Sequence, residues 1–340
     1  MKCKMAVLLV GLMWLEITAR AQKSAPFHLV QTITMDAGVQ GKFDHMAVDV
    51  NGDRLFLTAP QHHTVEVFDL KSGKWTHSIT GLGKPAGIVY VPKTDQVLVS
   101  DGEPGSCKII DGSTYRVIGD VKLVADADSL AYDAPAAILY VVNGGKDVGE
   151  KFSRVSVVDV ETRKNLADIK IDGETLEAMA LEKSGPRLFV NVTSLNKVAV
   201  IDREKRKQIA AWDVTDAKAN VAMGLDESDH RLFLATRGPG MLIVLDTETG
   251  KSVAHLPAAG GVDDLAYDAQ RKRIYMSGSD GFVNVYQQKD ADTYEPLPTI
   301  PTGPGARTSR FVPEENRLYV AVPAVKGGKP AEIQVYEATP

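Results

Sequence analysis

A phrase of four residues recurs seven times along the chain, and this repeat constrains the fold more than any other feature of the sequence. Each copy is a β-rich, mostly apolar run, and successive copies begin 42 to 49 residues apart. A repeat period of this length is typical of β-propellers, in which one repeat forms one blade. The copies are Arg54-Leu55-Phe56-Leu57, Gln96-Val97-Leu98-Val99, Ile138-Leu139-Tyr140-Val141, Arg187-Leu188-Phe189-Val190, Arg231-Leu232-Phe233-Leu234, Arg273-Ile274-Tyr275-Met276 and Arg317-Leu318-Tyr319-Val320.

The residues around each phrase predict four strands per repeat. A large apolar residue precedes every phrase at a constant offset, and an alternating run follows it and ends, in five copies, in an apolar-acidic pair. Turn residues separate these runs. The five acids share one register position, and we expect them to accept backbone N–H groups in tight turns. They are Asp69, Asp111, Asp159, Asp202 and Asp246.

The two ends of the chain predict how the ring closes. The seventh copy has only three strands before Pro340, whereas an extra strand, residues 29–34, precedes the first copy. We expect this strand to pair with the strand around Ile333 and Tyr336, which would hide a free sheet edge. An open solenoid, the alternative, needs capping repeats, and the sequence shows none. The predicted fold is an all-β, seven-bladed β-propeller with four-stranded blades, forming one domain over residues 22–340.

The seventh copy, Arg317-Leu318-Tyr319-Val320-Ala321-Val322, resembles the repeat of the YVTN-type, YncE-like β-propellers, a family of exported bacterial proteins. The resemblance extends over essentially all of residues 22–340 and implies a WD40-like ring of blades. Members of the wider group are linked to ligand binding, to surface roles and, in related seven-bladed lactonases, to hydrolysis. The resemblance therefore implies a fold and leaves the function open.

The N-terminal residues predict export. A positively charged start precedes an apolar run over residues 5–15, and Ala19-Arg20-Ala21 fits the small-x-small rule for signal-peptide cleavage. We expect residues 1–21 to be a signal peptide and the mature protein to begin at Gln22, in the periplasm or outside the cell. The apolar run is too short to cross a bilayer, and no longer one follows.

Charge and cysteine content narrow the classes of partner. The net charge is −5, and loss of the signal peptide with its three basic residues and one acidic residue makes it −7. This acidic balance argues against a nucleic-acid partner. Cys107 would be the single cysteine of the mature chain, so no internal disulfide is expected. We expect a monomer that binds a small molecule or a protein.

The innermost strands of a propeller begin around one mouth of the central channel, where ligand sites belong. Five of the seven repeats place ionisable residues at this position, and the groups differ from blade to blade, unlike a packing requirement. We therefore expect them to bind a ligand. They are Asp44, His45, Asp128, Glu177, Asp263, Asp264 and Arg307.

The sequence leaves three interpretations of the function open. The leading interpretation is a ligand- or partner-binding module rather than an enzyme. Imidazole and carboxylate suit a divalent metal ion, for which His45, Asp44 and Asp264 are the candidate ligands. His62 and His63 lie in a loop predicted on the same face.

The second interpretation is a metal-assisted hydrolase, lactonase or lyase that uses the same mouth. In it His45 or Glu177 would be the base and Arg307 would contact an oxyanion or a carboxylate, with Asp128, Asp263 and Asp264 as metal ligands. The third interpretation, a purely structural envelope protein, predicts a mouth without converging groups.

Overall fold

The computed structural model describes residues 25–340 and confirms the predicted seven-bladed propeller. The signal peptide predicted for residues 1–21 lies outside the described residues. The first three blades comprise β2 (Met46–Asp49), β3 (Arg54–Ala59), β4 (Thr64–Asp69) and β5 (Lys74–Ile79); β6 (Pro85–Val91), β7 (Gln96–Asp101), β8 (Ser106–Asp111) and β9 (Val117–Lys122); β10 (Leu130–Asp133), β11 (Ile138–Gly144), β12 (Phe152–Asp159) and β13 (Lys164–Asp172).

The next three blades follow the same antiparallel order, from the innermost strand outwards. They comprise β14 (Leu176–Leu181), β15 (Arg187–Val192), β16 (Lys197–Asp202) and β17 (Lys207–Asp213); β18 (Lys218–Asp226), β19 (Arg231–Gly238), β20 (Gly240–Asp246) and β21 (Ser252–Pro257); β22 (Val262–Asp268), β23 (Arg273–Gly278), β24 (Phe282–Gln288) and β25 (Tyr294–Pro296) with β26 (Ile300–Pro301). The outer strand of the sixth blade is thus split in two, and both pieces pair with β24.

The seventh blade contains both ends of the described chain. Its strands are β27 (Thr308–Val312), β28 (Arg317–Val322), β29 (Glu332–Ala338) and, outermost, β1 (Phe27–Thr34). The register sets Leu29 opposite Tyr336 and Ile33 opposite Ile333, as the sequence predicted. The N-terminal strand therefore closes the ring and covers the edge of β29.

The recurring phrase forms the second strand of every blade, and its apolar side chains fill the core. Leu55 and Phe56 of the first copy are fully buried, as are Leu318 and Tyr319 of the last. These side chains pack against the neighbouring blade, because the two faces of each sheet point towards adjacent sheets. Burial of such apolar faces holds the ring together.

The five register acids have the predicted structural role. In each case the carboxylate accepts the backbone N–H of the residue three positions later, at 2.6 to 2.9 Å. Two short 3₁₀ helices, Lys146–Val148 and Thr193–Leu195, lie in loops that follow second strands. No helix in the described part of the chain is long and apolar enough to span a membrane.

Candidate functional site at the channel mouth

The structure brings the predicted mouth residues to one end of the central channel. Asp44-His45 and Arg307 directly precede innermost strands, and Asp128 lies two residues before β10. Glu177 is the second residue of β14, and Asp263-Asp264 lie near the start of β22. Because all innermost strands run in the same direction along the channel, these side chains surround a common space. The contacts between them cross from blade to blade.

His45 lies at the centre of this group. Its Nε2 is 3.7 Å from Asp44 Oδ1, and its Nδ1 is 3.4 Å from Asp264 Oδ1. The backbone positions the imidazole, because the His45 N–H donates to the Thr58 hydroxyl at 2.9 Å. Asp264 is held in turn by the Ser309 N–H, which donates to its Oδ2 at 2.7 Å. The three side chains are therefore fixed by contacts from the first, sixth and seventh blades.

Three metal-ligand groups converge at the imidazole of His45, whose Nε2 faces Asp44. Asp44, His45 and Asp128 each offer one ligand atom, and these atoms lie within 4.8 Å of one another. The candidate set from the sequence contained Asp264 in place of Asp128, and the structure places Asp264 on the other ring nitrogen. A carboxylate in that position is the usual orienting partner of a metal-ligating imidazole. The metal itself stays a prediction.

A second part of the mouth is an ion-pair cluster around Asp263. Its Oδ2 forms an ion pair with Arg307 Nε at 2.8 Å, and its Oδ1 contacts Arg237 Nη2. Arg237 lies near the end of β19 in the fifth blade, and its Nε–H also donates to the Val262 carbonyl at 2.8 Å. Two arginines therefore contact Asp263. The start positions of the innermost strands had predicted Arg307 as the single basic residue of the mouth.

The remaining carboxylates are crowded, and the nearby cations act on them only through longer-range charge interactions. Among the described residues, neither Asp128 nor Glu177 has an ion pair or a side-chain hydrogen bond. Burial, with the Asp44 and Glu177 charges, raises the pKa of Asp128 well above its ordinary value. Burial and the Asp263 charge raise the pKa of Glu177 to about 7. Each carboxylate thus makes ionisation of the next one less favourable.

The same charges shift the pKa values of His45 and Asp263. Burial alone would lower the pKa of His45, but Asp44, Asp264 and Asp128 together raise it well above its ordinary value. For Asp263, burial raises the pKa to about 6, although Arg307 and Arg237 oppose the rise. The five carboxylates of the mouth face two arginines and one histidine, so acidic groups predominate.

The two loop histidines do not join this group. His63 Nδ1 contacts the Gly83 carbonyl oxygen. Within residues 25–340 the metal-ligand cluster comprises Asp44, His45 and Asp128, without His62 or His63.

Below the mouth, the channel contains a cavity of about 160 Å³. Its upper wall includes His45, Ser129 and Asp264, and Arg310 borders its lower part. Arg310 also borders a groove formed by the turns after the innermost strands, on the opposite face. The cavity therefore connects the mouth to the region around Arg310, a residue that the sequence analysis did not single out.

Fold and mouth together define the class: a seven-bladed β-propeller whose channel opens through a predominantly acidic cluster. Over 107 residues the chain is 28% identical to the uncharacterized protein YncE of Salmonella typhi and 27% identical to YncE of Salmonella typhimurium. Each match covers 32% of this chain and 30% of the relative. The chain thus resembles YncE over about a third of its length, in agreement with the resemblance seen in its repeat, and no family model matches it.

Solved structures support the fold over nearly the whole chain. A chain of hydrazine synthase from Kuenenia stuttgartiensis superposes with a TM-score of 0.73 at 16% identity, covering 90% of this chain and 97% of its own length. A chain of the mitotic checkpoint complex superposes with a TM-score of 0.76 at 13% identity, covering 99% and 100%. At such identities the similarity shows the propeller fold and nothing about function.

Proposed function

We propose that this chain is an exported binding propeller that holds a divalent cation at its channel mouth, between Asp44, His45 and Asp128. The observation that carries the proposal is the convergence of three ligand atoms within 4.8 Å on a histidine whose other nitrogen faces Asp264. Nitrogen and carboxylate ligands in such a set suit zinc or manganese.

Charge supports the same conclusion. Asp128 and Glu177 are confined beside other carboxylates and make no ion pair among the described residues, and their pKa values are raised despite the nearby charges of His45 and Arg237. A bound cation would offset this repulsion, which the charges of His45 and Arg237 offset only in part, since Arg237 pairs directly with Asp263. Repulsion of this kind is often retained where a ligand relieves it, at a cost in the stability of the empty site.

Export rests on the N-terminal sequence and is consistent with the YncE-like repeat. The channel mouth would then face a compartment in which divalent cations and small solutes are available. N-terminal sequencing of protein exported by a native host tests this part, with Gln22 as the expected first residue. Retention of Met1 on the exported protein would contradict it.

The cation is tested by thermal shift with calcium, magnesium, manganese and zinc on protein freed of metal by a chelator. A ligand at about a hundredfold excess over its Kd stabilises the folded state by about 2.7 kcal/mol, so binding should raise Tm in a concentration-dependent way. The double variant His45→Ala/Asp128→Asn should show no shift. Asp53→Asn is the matched control, because Asp53 is exposed on the turn between β2 and β3, at the end of β2 opposite to Asp44 and His45. Equal shifts in the parent and the double variant would contradict the site.

One observation favours a second function at the same place, metal-assisted hydrolysis of a lactone or a related lyase reaction. Glu177 has a pKa of about 7, which suits a general acid or base at neutral pH. Its carboxyl group would transfer the proton, and Arg307 would contact the developing negative charge. Lactone hydrolysis by the metal-loaded parent, lost in Glu177→Gln while metal binding persists, would support this function. No turnover by the parent would leave the binding module as the function.

A further inference from the structure

The seventh blade departs from the other six at two consecutive positions of its innermost strand. The register places seven residues opposite the third residue of the recurring phrase, and six of them are small or β-branched: Ala47, Val89, Ala131, Ala180, Gly224 and Ala266. The seventh is Arg310, opposite Tyr319. A long cation therefore replaces a small apolar residue at one point of the ring.

The preceding position shows the reverse change. Six blades carry a large apolar residue there: Met46, Ile88, Leu130, Met179, Met223 and Leu265. The seventh blade carries Ser309, and all seven residues line the cavity below the mouth. Apolar side chains from six blades thus line the cavity beside the polar groups of His45, Ser129 and Asp264, and the seventh blade adds Ser309 and Arg310.

Two polar groups in this cavity have no partner in the protein. The Arg310 guanidinium is exposed and makes no side-chain hydrogen bond or ion pair with any residue between 25 and 340. Ser129 is 4% exposed and lines the same cavity, and its hydroxyl likewise has no hydrogen-bond partner in the described chain. The Ser129 hydroxyl reaches the accessible space of the cavity, where a bound ligand can complete its hydrogen bonds.

Arg310 does not serve as a counter-ion in direct contact with the acids of the mouth. Asp264, the mouth acid whose charge acts on it most, already faces His45 and accepts the Ser309 N–H. The protein around the channel displaces part of the water near the Arg310 guanidinium and so lowers its pKa, since this desolvation outweighs the charges of Asp264 and Glu314. An anion in the cavity would supply the partner that the protein does not.

We propose that the channel cavity binds a short-chain organic carboxylate, with its carboxylate on Arg310 and its hydrocarbon chain against the apolar wall. This inference rests on the proposed function in one respect: the mouth is the entrance, and a cation there would offset the acids that an anion must pass. A planar guanidinium can hold a carboxylate through two parallel hydrogen bonds. The cavity of about 160 Å³ is smaller than the roughly 300–1,000 Å³ of drug-sized pockets, which restricts the chain length.

The test is butyrate binding to the full mature chain, measured by calorimetry with and without manganese. Butyramide, the neutral analogue, and chloride are the control ligands. The protein variants are Arg310→Ala and Arg310→Lys. Arg310→Ala should fold, since the other blades fold with small residues at this position. Arg116→Ala is the matched control, because Arg116 is exposed on the turn before β9, outside the channel.

We expect the parent and Arg116→Ala to bind butyrate and not butyramide or chloride. Arg310→Ala should bind it at least about tenfold more weakly, since a charge-assisted hydrogen bond contributes that much or more. Absence of butyrate binding by the parent, equal affinity in Arg310→Ala, or an equal response to chloride would overturn the inference. If Arg310→Ala does not fold, Arg310→Lys decides: weakened binding supports the bidentate contact, and unchanged affinity overturns it.

The two proposals fail separately. Manganese binding that persists while butyrate is not bound would overturn the carboxylate site alone. Butyrate binding that depends on Arg310, in a protein that takes up no metal, would overturn the cation site alone. Measurement of both ligands on the same samples therefore assigns any failure to one of the two sites.

Discussion

Substitution of Ile33 tests the closure of the ring by the N-terminal strand. Ile33 is fully buried in β1 and pairs with Ile333 in β29. It packs with Leu55 and Tyr319, in the cluster that joins the first and seventh blades. A buried Ile→Ala substitution costs about 2–5 kcal/mol, because it removes apolar contacts and leaves a cavity. Since β1 also covers the edge of β29, we expect Ile33→Ala to fall in the upper part of this range.

Leu29→Ala is the matched control in the same strand. Leu29 pairs with Tyr336, but its side chain is 52% exposed and lies outside the core clusters. Its substitution should cost below about 1 kcal/mol, as expected for a solvent-facing strand position. The two variants therefore differ in burial and share the strand, the pairing and the size of the change.

Urea denaturation followed by intrinsic fluorescence measures the difference. With an m value of about 3 kcal/mol/M or more for a chain of this size, Ile33→Ala should lower the unfolding midpoint by about 1 M. Leu29→Ala should leave the midpoint almost unchanged. Equal midpoints for Ile33→Ala and Leu29→Ala would refute closure by β1, because a strand that did not pack into the ring could not distinguish the two positions.

Further predictions concern titration and reactivity. Because the folded state raises the pKa of Glu177 from 4.5 to about 7, its ionisation destabilises the metal-free protein as the pH rises through this interval. Glu177→Gln should therefore raise Tm at pH 8 and not at pH 4; a gain of equal size at both would contradict the effect. Burial would raise the pKa of Asp226, but hydrogen bonds that include those from Gln288 and Tyr267 lower it, so its contribution is present above about pH 4 and lost as the pH falls. Asp226→Ala should cost about 2–3 kcal/mol at pH 7 in urea denaturation, and a cost that did not shrink towards pH 3 would argue against the assignment. Burial raises the pKa of Cys107 to about 12, so a thiol reagent should modify it only on unfolding, and fast labelling of the native protein would contradict its burial.

The repeat predicted most of the fold because propeller blades are periodic. The constant offsets around the phrase located the strands, and the missing fourth strand of the last copy predicted the pairing of Ile33 with β29. The split outer strand of the sixth blade had no such signal, because each of its two short pieces ends in a proline and neither has an alternating run.

The mouth was predictable by position and less so by contact. The start of each innermost strand is a register position, so the sequence located Asp44, His45 and Asp128 at one end of the channel. Which nitrogen of His45 each carboxylate faces depends on side-chain direction across blades, and this is why Asp264 and not Asp128 entered the predicted ligand set. Arg237 entered the ion-pair cluster from the end of a second strand, whose reach cannot be read from the repeat.

The sequence contained a signal for Arg310, but this signal lies outside the mouth positions of the repeat. Three positions further along the innermost strand, the same alignment gives small or β-branched residues in six blades and arginine in the seventh. A residue that departs from an internal repeat can therefore indicate a ligand site below the mouth, just as it does at the mouth. The side-chain contacts of the structure were still required to show that this arginine has no partner.

Anomalous diffraction from crystals of the mature protein grown with manganese tests the central claim most directly. We predict one strong peak at the channel mouth, within ligand distance of His45 Nε2 and of carboxylate oxygens of Asp44 and Asp128, with Asp264 on the opposite nitrogen of the imidazole. The peak should be absent from crystals of His45→Ala/Asp128→Asn grown in the same way. A parent mouth without anomalous density at saturating manganese, or a peak unchanged in the double variant, would contradict a cation site between these residues.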